Sequence, residues 1–494
     1  MVLISSTSSL RTIARRPRRC ILVLEKKSTQ VMLPINSYTS LQKSVLVMVL
    51  LNALSVPIML SSVNVALPHI AADLELSALS VSWIPTAFLM ASAMFILVFG
   101  RLADMFGRKK IFLIGAVSVV FASILASLAT GAVSLIGARF LQGVGAAMLY
   151  ATQMAIVSSV FPLATRGRVI GLVISFIYIG LASGPLFGGI IVDQLGWRIN
   201  FLLQIPLAIL VFCIGFYKVE GDWAADERGV FDFTGALIYC LAIFIICIGA
   251  SFLPSSIGYV LMVAGLIGVS IFFRQARSSN HPLLDVKLFF TNRTFTFSAL
   301  ASLIMYSATF MNVVLLSLYL QYLKGLSPSA AGLIMMIQPL TMAVFSPLMG
   351  KLSDSIEPRI LSSAGMFVTA MGLVLLGMLN SNSQTSNIAI ALVVTGLGFS
   401  LFSSPNVNAI MSSVSRKHLG AAAAAVSTTR ILGQLFSMVL ITLIMALTFG
   451  ATQIEPANYF ELEKTIRFSF YLAAGLCVPG LFLSAVRGTI HSRQ

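Results

Sequence analysis

The sequence predicts an all-α polytopic membrane protein with fourteen transmembrane helices, arranged as two related six-helix lobes with two further helices inserted between them. Three observations carry that expectation. Of the 494 residues, 58% are hydrophobic and only 10% are charged, a balance outside the range of water-soluble domains. Apolar runs of about 20 residues, enough for a helix to cross about 30 Å of hydrocarbon, recur along nearly the whole length. Finally, Gly100-Arg101-Leu102-Ala103-Asp104 returns 250 positions later as Gly350-Lys351-Leu352-Ser353-Asp354, each copy between long apolar runs. A loop duplicated at that distance implies two halves of common descent.

Residues 1–43 are a basic arm in which Arg11, Arg15, Arg16, Arg18 and Arg19 stand among Ser and Thr. It has too little apolar length for a secretory signal. A lipid-headgroup contact, a targeting peptide, a disordered tail and a true start at Met32 are all compatible with it. Spans one to six follow at about 44–68, 80–100, 111–130, 133–160, 169–192 and 200–217, and make an N-terminal lobe over 44–217. Residues 218–294 link the lobes and contain spans seven (233–253) and eight (257–273), parted by the polar break Pro254-Ser255-Ser256. Spans nine to fourteen, at about 295–320, 331–350, 360–379, 388–414, 420–449 and 466–486, make a C-terminal lobe over 295–487, and 488–494 is a short tail. Three more echoes pair the halves. Gln142-Gly143-Val144-Gly145 matches Thr395-Gly396-Leu397-Gly398, Ser-Ser-Val closes both spans four and twelve, and Gly184-Pro185-Leu186-Phe187 matches Gly433-Gln434-Leu435-Phe436. Their offsets of 253, 254 and 249 lie close to 250, so spans one to six correspond to spans nine to fourteen.

Charge sets the orientation. With the N-terminus in the cytoplasm, 26 of the 32 Lys and Arg fall on the inner side, and only Arg198, Lys324, Lys464 and Arg467 on the outer. This predicts an integral protein of the plasma (inner) membrane with both termini cytoplasmic. The net charge of +16 thus belongs to topology, and no nucleic-acid partner is expected. Loops of roughly ten residues leave no room for a soluble catalytic domain. The histidines (His69, His281, His418, His491) are scattered and the five cysteines make no CxxC pair, so no metal or other cofactor is expected. With no GxxxxGK[ST] run, direct ATP drive is not expected either.

The 100–110 loop suggests a conformational latch made of Gly100, Asp104, Gly107 and Arg108, with Gly350 and Asp354 as counterparts. Gly100 would let helices approach closely, and Asp104 would pair with a basic group across the lobe. In span five, Gly180, Gly184 and Gly188 repeat every four residues along one face, with Gly189 beside them. They predict close packing on span eight or on a helix of the same lobe, and Pro185 a bend. Arg139 and Arg430 are the two mid-span charges, each costing about 2.5–3.5 kcal/mol to insert. Each reads as a substrate or proton-relay contact, Arg139 with Gln142 beside it, or as a structural arginine bonded to neighbouring carbonyls. All sixteen acids lie in loops, in the arm or at span ends. Asp104, Asp193 and His69 are the titratable candidates, although His69 also reads as a plain loop histidine. A cavity with two arginines and no acid should prefer neutral or anionic amphiphiles over lipophilic cations. Its candidate polar residues are Asn52, Ser61, Asn64, Tyr150, Gln153, Tyr306, Asn312, Gln338, Asn406 and Asn408, each equally readable as interhelical glue.

The run Gly-x-Leu-x-Asp-x-x-Gly-Arg over 100–108 resembles the signature loop of the major facilitator superfamily. Arg139, Gln142, Gly143 and Gly145 match its R-x-x-Q-G-x-G pattern, and the run from Gly180 to Gly189 through Pro185 is similar to its antiporter motif. His281-Pro282-Leu283-Leu284, and Arg430 with Gly433, look like the fourteen-span drug:proton antiporter branch. The resemblance spans 44 to about 487. It implies a secondary transporter in which two lobes rock about a central site, with export of small amphiphiles or drugs driven by proton entry. Its implied partners are a small-molecule substrate, protons and membrane lipid, and its implied state a monomer. Relatives commonly carry an acid in span one within L-D-x-T-x-x-N-x-A-L-P; here Asn64, Ala66, Leu67 and Pro68 match, but Met59 holds the acid position. An uptake symporter or facilitator would share the fold. A membrane-embedded enzyme would need clustered His, Cys or acids, and a channel or receptor would not need duplicated loops.

Overall fold

The computed structural model describes residues 38–224, 230–279, 282–284, 286–414, 419–450 and 452–489. The arm as far as residue 37, His281, His418 and the tail from 490 lie outside the described residues. From Ser40 onward the chain forms one compact unit. Fourteen helices among the described residues are long and apolar enough to cross a membrane. They are α1 Ser40–Asp73, α2 Ala78–Phe106, α3 Arg108–Ser127, α4 Ala132–Val160, α5 Thr165–Leu195, α6 Trp197–Tyr217, α7 Phe233–Ser251, α8 Ser256–Ser278, α9 Arg293–Leu323, α10 Pro328–Leu352, α11 Pro358–Gly377, α12 Thr385–Ser412, α13 Ala422–Thr448 and α14 Pro456–Val486. The described residues contain no strand.

Packing repeats between the lobes. The N-terminal lobe is held by α1 on α5, α2 on α4, α3 on α4 and on α6, and α1 on α6. Each pairing recurs with eight added to both numbers: α9 on α13, α10 on α12, α11 on α12 and on α14, and α9 on α14. The main contacts between lobes also form such a pair, α5 on α10 and α13 on α2. The duplication visible in the loops therefore extends to the helix interfaces.

Local chemistry explains where the helices stop and break. Ser77, Asp232, Ser255 and Ser327 cap α2, α7, α8 and α10 by accepting from the first-turn N–H groups. Gly107, at φ +111°, turns the chain between α2 and α3, a conformation that favours glycine. α9 is broken at Phe310 and ends in a π-helical turn at Tyr319–Leu323. α10 breaks at Met336, two residues after Ile334 and three before Pro339. The inserted helices α7 and α8 pack on each other through Gly249 and Gly265. α7 is fastened to α2 by Tyr239 Oη donating to Ala93 O (2.8 Å) and Trp83 Nε1 donating to Ser251 Oγ (2.9 Å). The outer surface of α8 is apolar and exposed, as a lipid-facing helix requires.

Candidate substrate-binding site

The 101–110 and 351–359 loops lie on one face, here the basic face. At the opposite face the lobes are closed against each other. Three glycines of α5 lie against α1, the helix of its own lobe that it packs on: a Cβ at Gly180 would stand 2.6 Å from Leu54 O, one at Gly184 would overlap Ser61 Oγ, and one at Gly188 would stand 2.8 Å from Ser62 Cα. Span eight takes no part in this packing. Toward the other lobe, Gly189 lies against Pro328, and Gly332 lies against Pro185, whose carbonyl carbon would be 2.9 Å from an added Cβ. Backbone therefore meets backbone between α5 and α10. Beyond these contacts the Asp193 carboxylate accepts from Ser329 N (3.0 Å) and from the Ser329 hydroxyl, at the N-terminus of α10 where the helix dipole favours an anion. Gln321 Nε2 donates to Val65 O (2.9 Å), Ala78 N to Thr452 O (3.0 Å), and Ser82 Oγ to Thr442 Oγ1 (3.2 Å). Among the described residues Asp193 is the one ionisable side chain bonded between the lobes on this face. Asp193→Ala is expected to raise labelling of a cysteine placed at Ala330 about fivefold, measured with a membrane-impermeant maleimide.

Toward the basic face α2 and α13, with α4, line a cavity of about 340 Å³. Its walls are Ile96, Leu97 and Gly100 of α2, Tyr150 and Met154 of α4, and Ala423, Ala424, Ser427 and Thr428 of α13, with the segment Pro282–Leu284 and Phe289 at the linker side. The volume suits a small organic molecule, and the lining is mostly apolar. Arg101, Asp104 and Arg108 stand at its basic end.

Deeper than Ser427, along the same side of α13, Arg430 holds its guanidinium 5.3 Å from the centre of the Tyr150 ring. Gly433, three residues on along α13, packs against Tyr306 of α9. Tyr178 Oη and Ser403 Oγ are 2.8 Å apart, and Tyr306 packs edge-on to Phe399 at 5.4 Å between ring centres. Met305, Met342 and Phe402 enclose Tyr178. The cluster crosses the lobe boundary: Tyr150 and Tyr178 come from α4 and α5, and Tyr306, Ser403 and Arg430 from α9, α12 and α13.

Arg139 is placed differently from the expected substrate contact. It is fully buried inside the N-terminal lobe, away from the cavity walls. Nε donates to Ile84 O (3.2 Å), Nη1 donates to Gln142 Oε1 (2.7 Å), and the guanidinium lies 4.6 Å from the centre of the Phe88 ring. Gln142 Nε2 in turn donates to Ser123 Oγ (2.9 Å), which also accepts from Gln204 Nε2 (2.6 Å). This network ties α2, α3, α4 and α6 together. The face of α4 that carries Arg139 is the one packed on α2 and α3, so the side chain turns inward.

The loop latch also differs in its partner. Asp104 pairs with Arg108 one turn on, at 2.8 Å, and not with a group across the lobe. Gly107 lets the chain reverse so tightly that the two side chains meet first. Arg108 Nη1 continues to Ser159 Oγ (2.6 Å) and Ala155 O (3.4 Å) at the end of α4. Asp222, from the linker after α6, fills the notch that Gly107 leaves and accepts from Lys109 N (3.0 Å). Gly100 has open space up to Ala151. In the second lobe, Gly350 lies near Ser404, and Ser353 joins the ends of α10 and α12 by accepting from Asn408 Nδ2 (2.6 Å), while Asp354 is exposed. Asp104→Asn is expected to lower turnover about fivefold with protein level unchanged, because the partly exposed pair contributes under about 1 kcal/mol to stability.

The remaining expected cavity residues divide. Asn52 Nδ2 donates to Gln153 Oε1 (2.6 Å) and Asn312 Nδ2 to Gln338 Oε1 (3.5 Å), so these are pairs between helices. Ser61 and Asn64 bond back to Pro57 O and Leu60 O on their own helix. Asn406 belongs to the interior of the C-terminal lobe, where Oδ1 accepts from Arg487 Nη1 (2.5 Å). His69 is exposed on α1 toward the closed face. Arg487 went unread in the sequence, where it counts only among the inner-side charges. It is 1% exposed and also bonds Ser298 Oγ and Ser362 Oγ. Burial pushes its guanidinium down to about 10, an effect opposed by the charge of Glu357. Tyr178 and Ser403 were likewise missed, since a tyrosine and a serine within apolar runs carry no local signal.

A helical membrane protein whose two related lobes meet backbone to backbone at one face and line a cavity toward the other is built as a solute transporter. A sequence model of the Major Facilitator Superfamily matches residues 49–273 and 298–491, and the chain belongs to that superfamily. Its members handle small-molecule substrates, and this chain is a transporter, not an enzyme. It is 29% identical to the riboflavin transporter RibZ of Clostridioides difficile over 86% of this chain and 92% of that protein. It is also 29% identical to the multidrug resistance protein Stp of Mycobacterium tuberculosis (82% and 75% covered) and 28% identical to the multidrug transporter protein MdtP of Bacillus subtilis (78% and 71%). A crystal structure of a POT family transporter in complex with a thioalcohol-conjugated peptide shares the fold, with a TM-score of 0.68 at 15% identity, covering 90% of this chain and 96% of that one.

Proposed function

We propose that this transporter exports small amphiphilic compounds, neutral or anionic, by alternating access driven by proton entry. It works as a monomer in the plasma (inner) membrane, with the basic face and both termini cytoplasmic. The observation that carries the reading is the shape of the interface: a cavity between α2, α4 and α13 on the basic side, and backbone-tight closure of α5 on α10 at the other face. Under the positive-inside rule the cavity then opens toward the cytoplasm, as an exporter ready to load requires. The relatives named as multidrug and riboflavin transporters support a flat or amphiphilic cargo. With Met59 where an acid is common, Asp193, Asp104 and His69 are the groups through which protons would act.

Riboflavin uptake into inside-out membrane vesicles tests this. Accumulation is expected when the lumen is acidified and should vanish when an ionophore collapses the gradient. Equal uptake with and without the gradient would identify a facilitator. Accumulation only with the gradient reversed would identify an uptake symporter.

A further inference from the structure

We propose that Arg430, against the ring of Tyr150 at the lobe boundary, is an anion-recognition site, and that the preferred substrates are flat aromatic amphiphiles carrying a carboxylate or similar single negative charge. This rests on the transporter reading above and narrows its substrate class.

Of the arginines Arg139, Arg430 and Arg487, two already have partners. Arg139 and Arg487 are fully buried, and each is bonded within its own lobe: Arg139 to a carbonyl, a glutamine and a ring face, Arg487 to an asparagine and two serines. Arg430 has neither a hydrogen bond nor an ion pair with any described residue, and its one contact of this kind is the Tyr150 ring face. It is also the one of the three that stands between the lobes, beyond the deep end of the cavity, where Tyr150 lies. A cation inside the bilayer is stabilised by a counter-charge or by hydrogen-bond acceptors. No acid supplies one here: Asp104 is the acid among the cavity-lining residues, and it is held by Arg108. A bound anion would supply the missing partner.

The surroundings suit the rest of such a molecule. Tyr150 on one side and the Tyr306–Phe399 pair on the other offer ring faces and edges for stacking. The hydroxyls of Tyr178 and Ser403, 2.8 Å apart, can turn a donor toward an oxyanion. At the entrance, Arg101 lines the cavity with a buried Nε that has no partner among the described residues. Positive charge at both mouth and depth draws anions inward and repels lipophilic cations.

A matched set of probes tests charge at constant shape: 9-anthracenecarboxylate, its methyl ester and 9-anthracenemethylammonium, with binding to the purified full-length protein in nanodiscs followed by fluorescence. The carboxylate is expected to bind about tenfold more tightly than either analogue, the scale of one charge-assisted hydrogen-bonded contact. Arg430→Gln should bring the carboxylate to the level of the ester, and Arg430→Lys should keep most of the preference. Tyr150→Leu should weaken all three probes together by a few-fold. Thermal unfolding of each variant separates loss of fold from loss of recognition. If the wild type binds carboxylate and ester equally, or if folded Arg430→Gln keeps the preference, the assignment is overturned; retention in Arg430→Gln with loss in Arg101→Gln would move the site to the entrance. Because binding is read without a gradient, its failure is distinct from failure of vesicle transport.

Discussion

Gly332→Val is expected to reduce transport at least tenfold while leaving a folded protein in the membrane. Gly332 lies within the contact by which α10 packs on α5, and any Cβ there meets the Pro185 carbonyl, which is backbone and cannot rotate away. Two further methyls on that Cβ force the helices apart at the face where the lobes are closed. The internal packing of each lobe does not involve this contact, so folding is spared and the balance between conformations is not. Vesicle transport and maleimide labelling at the closed face would be measured together. Gly171→Val, on the same α5 but with nothing within 4 Å of its added Cβ, is the control. Normal transport by Gly332→Val would mean that the closed face is not part of the cycle.

Arg139→Ala is expected to destabilise the protein by about 3 kcal/mol, seen as a lower thermal midpoint in detergent. The substitution leaves Gln142 Oε1 and Ile84 O without their donor and removes the group stacked on Phe88, all deep in the lobe. Arg139→Lys should recover part of the loss. Transport per folded molecule should change far less than for Arg430→Gln, since Arg139 is buried within one lobe while Arg430 stands between the lobes against Tyr150, a residue of the cavity wall. An unchanged midpoint with lost transport would restore a direct part in the transport cycle.

These two arginines mark where sequence reading succeeds and where it stops. Composition and the repeated loop were sufficient for fourteen spans and two related lobes, because hydrocarbon thickness and common descent both act on the sequence itself. The four-residue spacing of Gly180, Gly184 and Gly188 was enough to foresee close packing, though not that α1 receives it and that Gly189 and Pro185 face the other lobe. Which way a mid-span arginine points depends on the rotation of its helix among its neighbours. Arg139 and Arg430 look alike in sequence, and only tertiary packing sends one into a lobe and the other between lobes. Arg487 was hidden for a related reason: it follows an apolar run, as loop cations do, but Asn406, Ser298 and Ser362 converge on it from distant helices.

The two symmetry-related seams between the lobes are chemically unequal. Along α5 and α10 main chain meets main chain, whereas along α2 and α13 short hydroxyl side chains meet near Thr442 and the walls part below them. Substitutions on the α2–α13 side can therefore change the cavity wall one residue at a time, whereas at the glycine–proline seam any added side chain meets main chain. A scaffold divided in this way can diversify its chemistry without redesigning its motion.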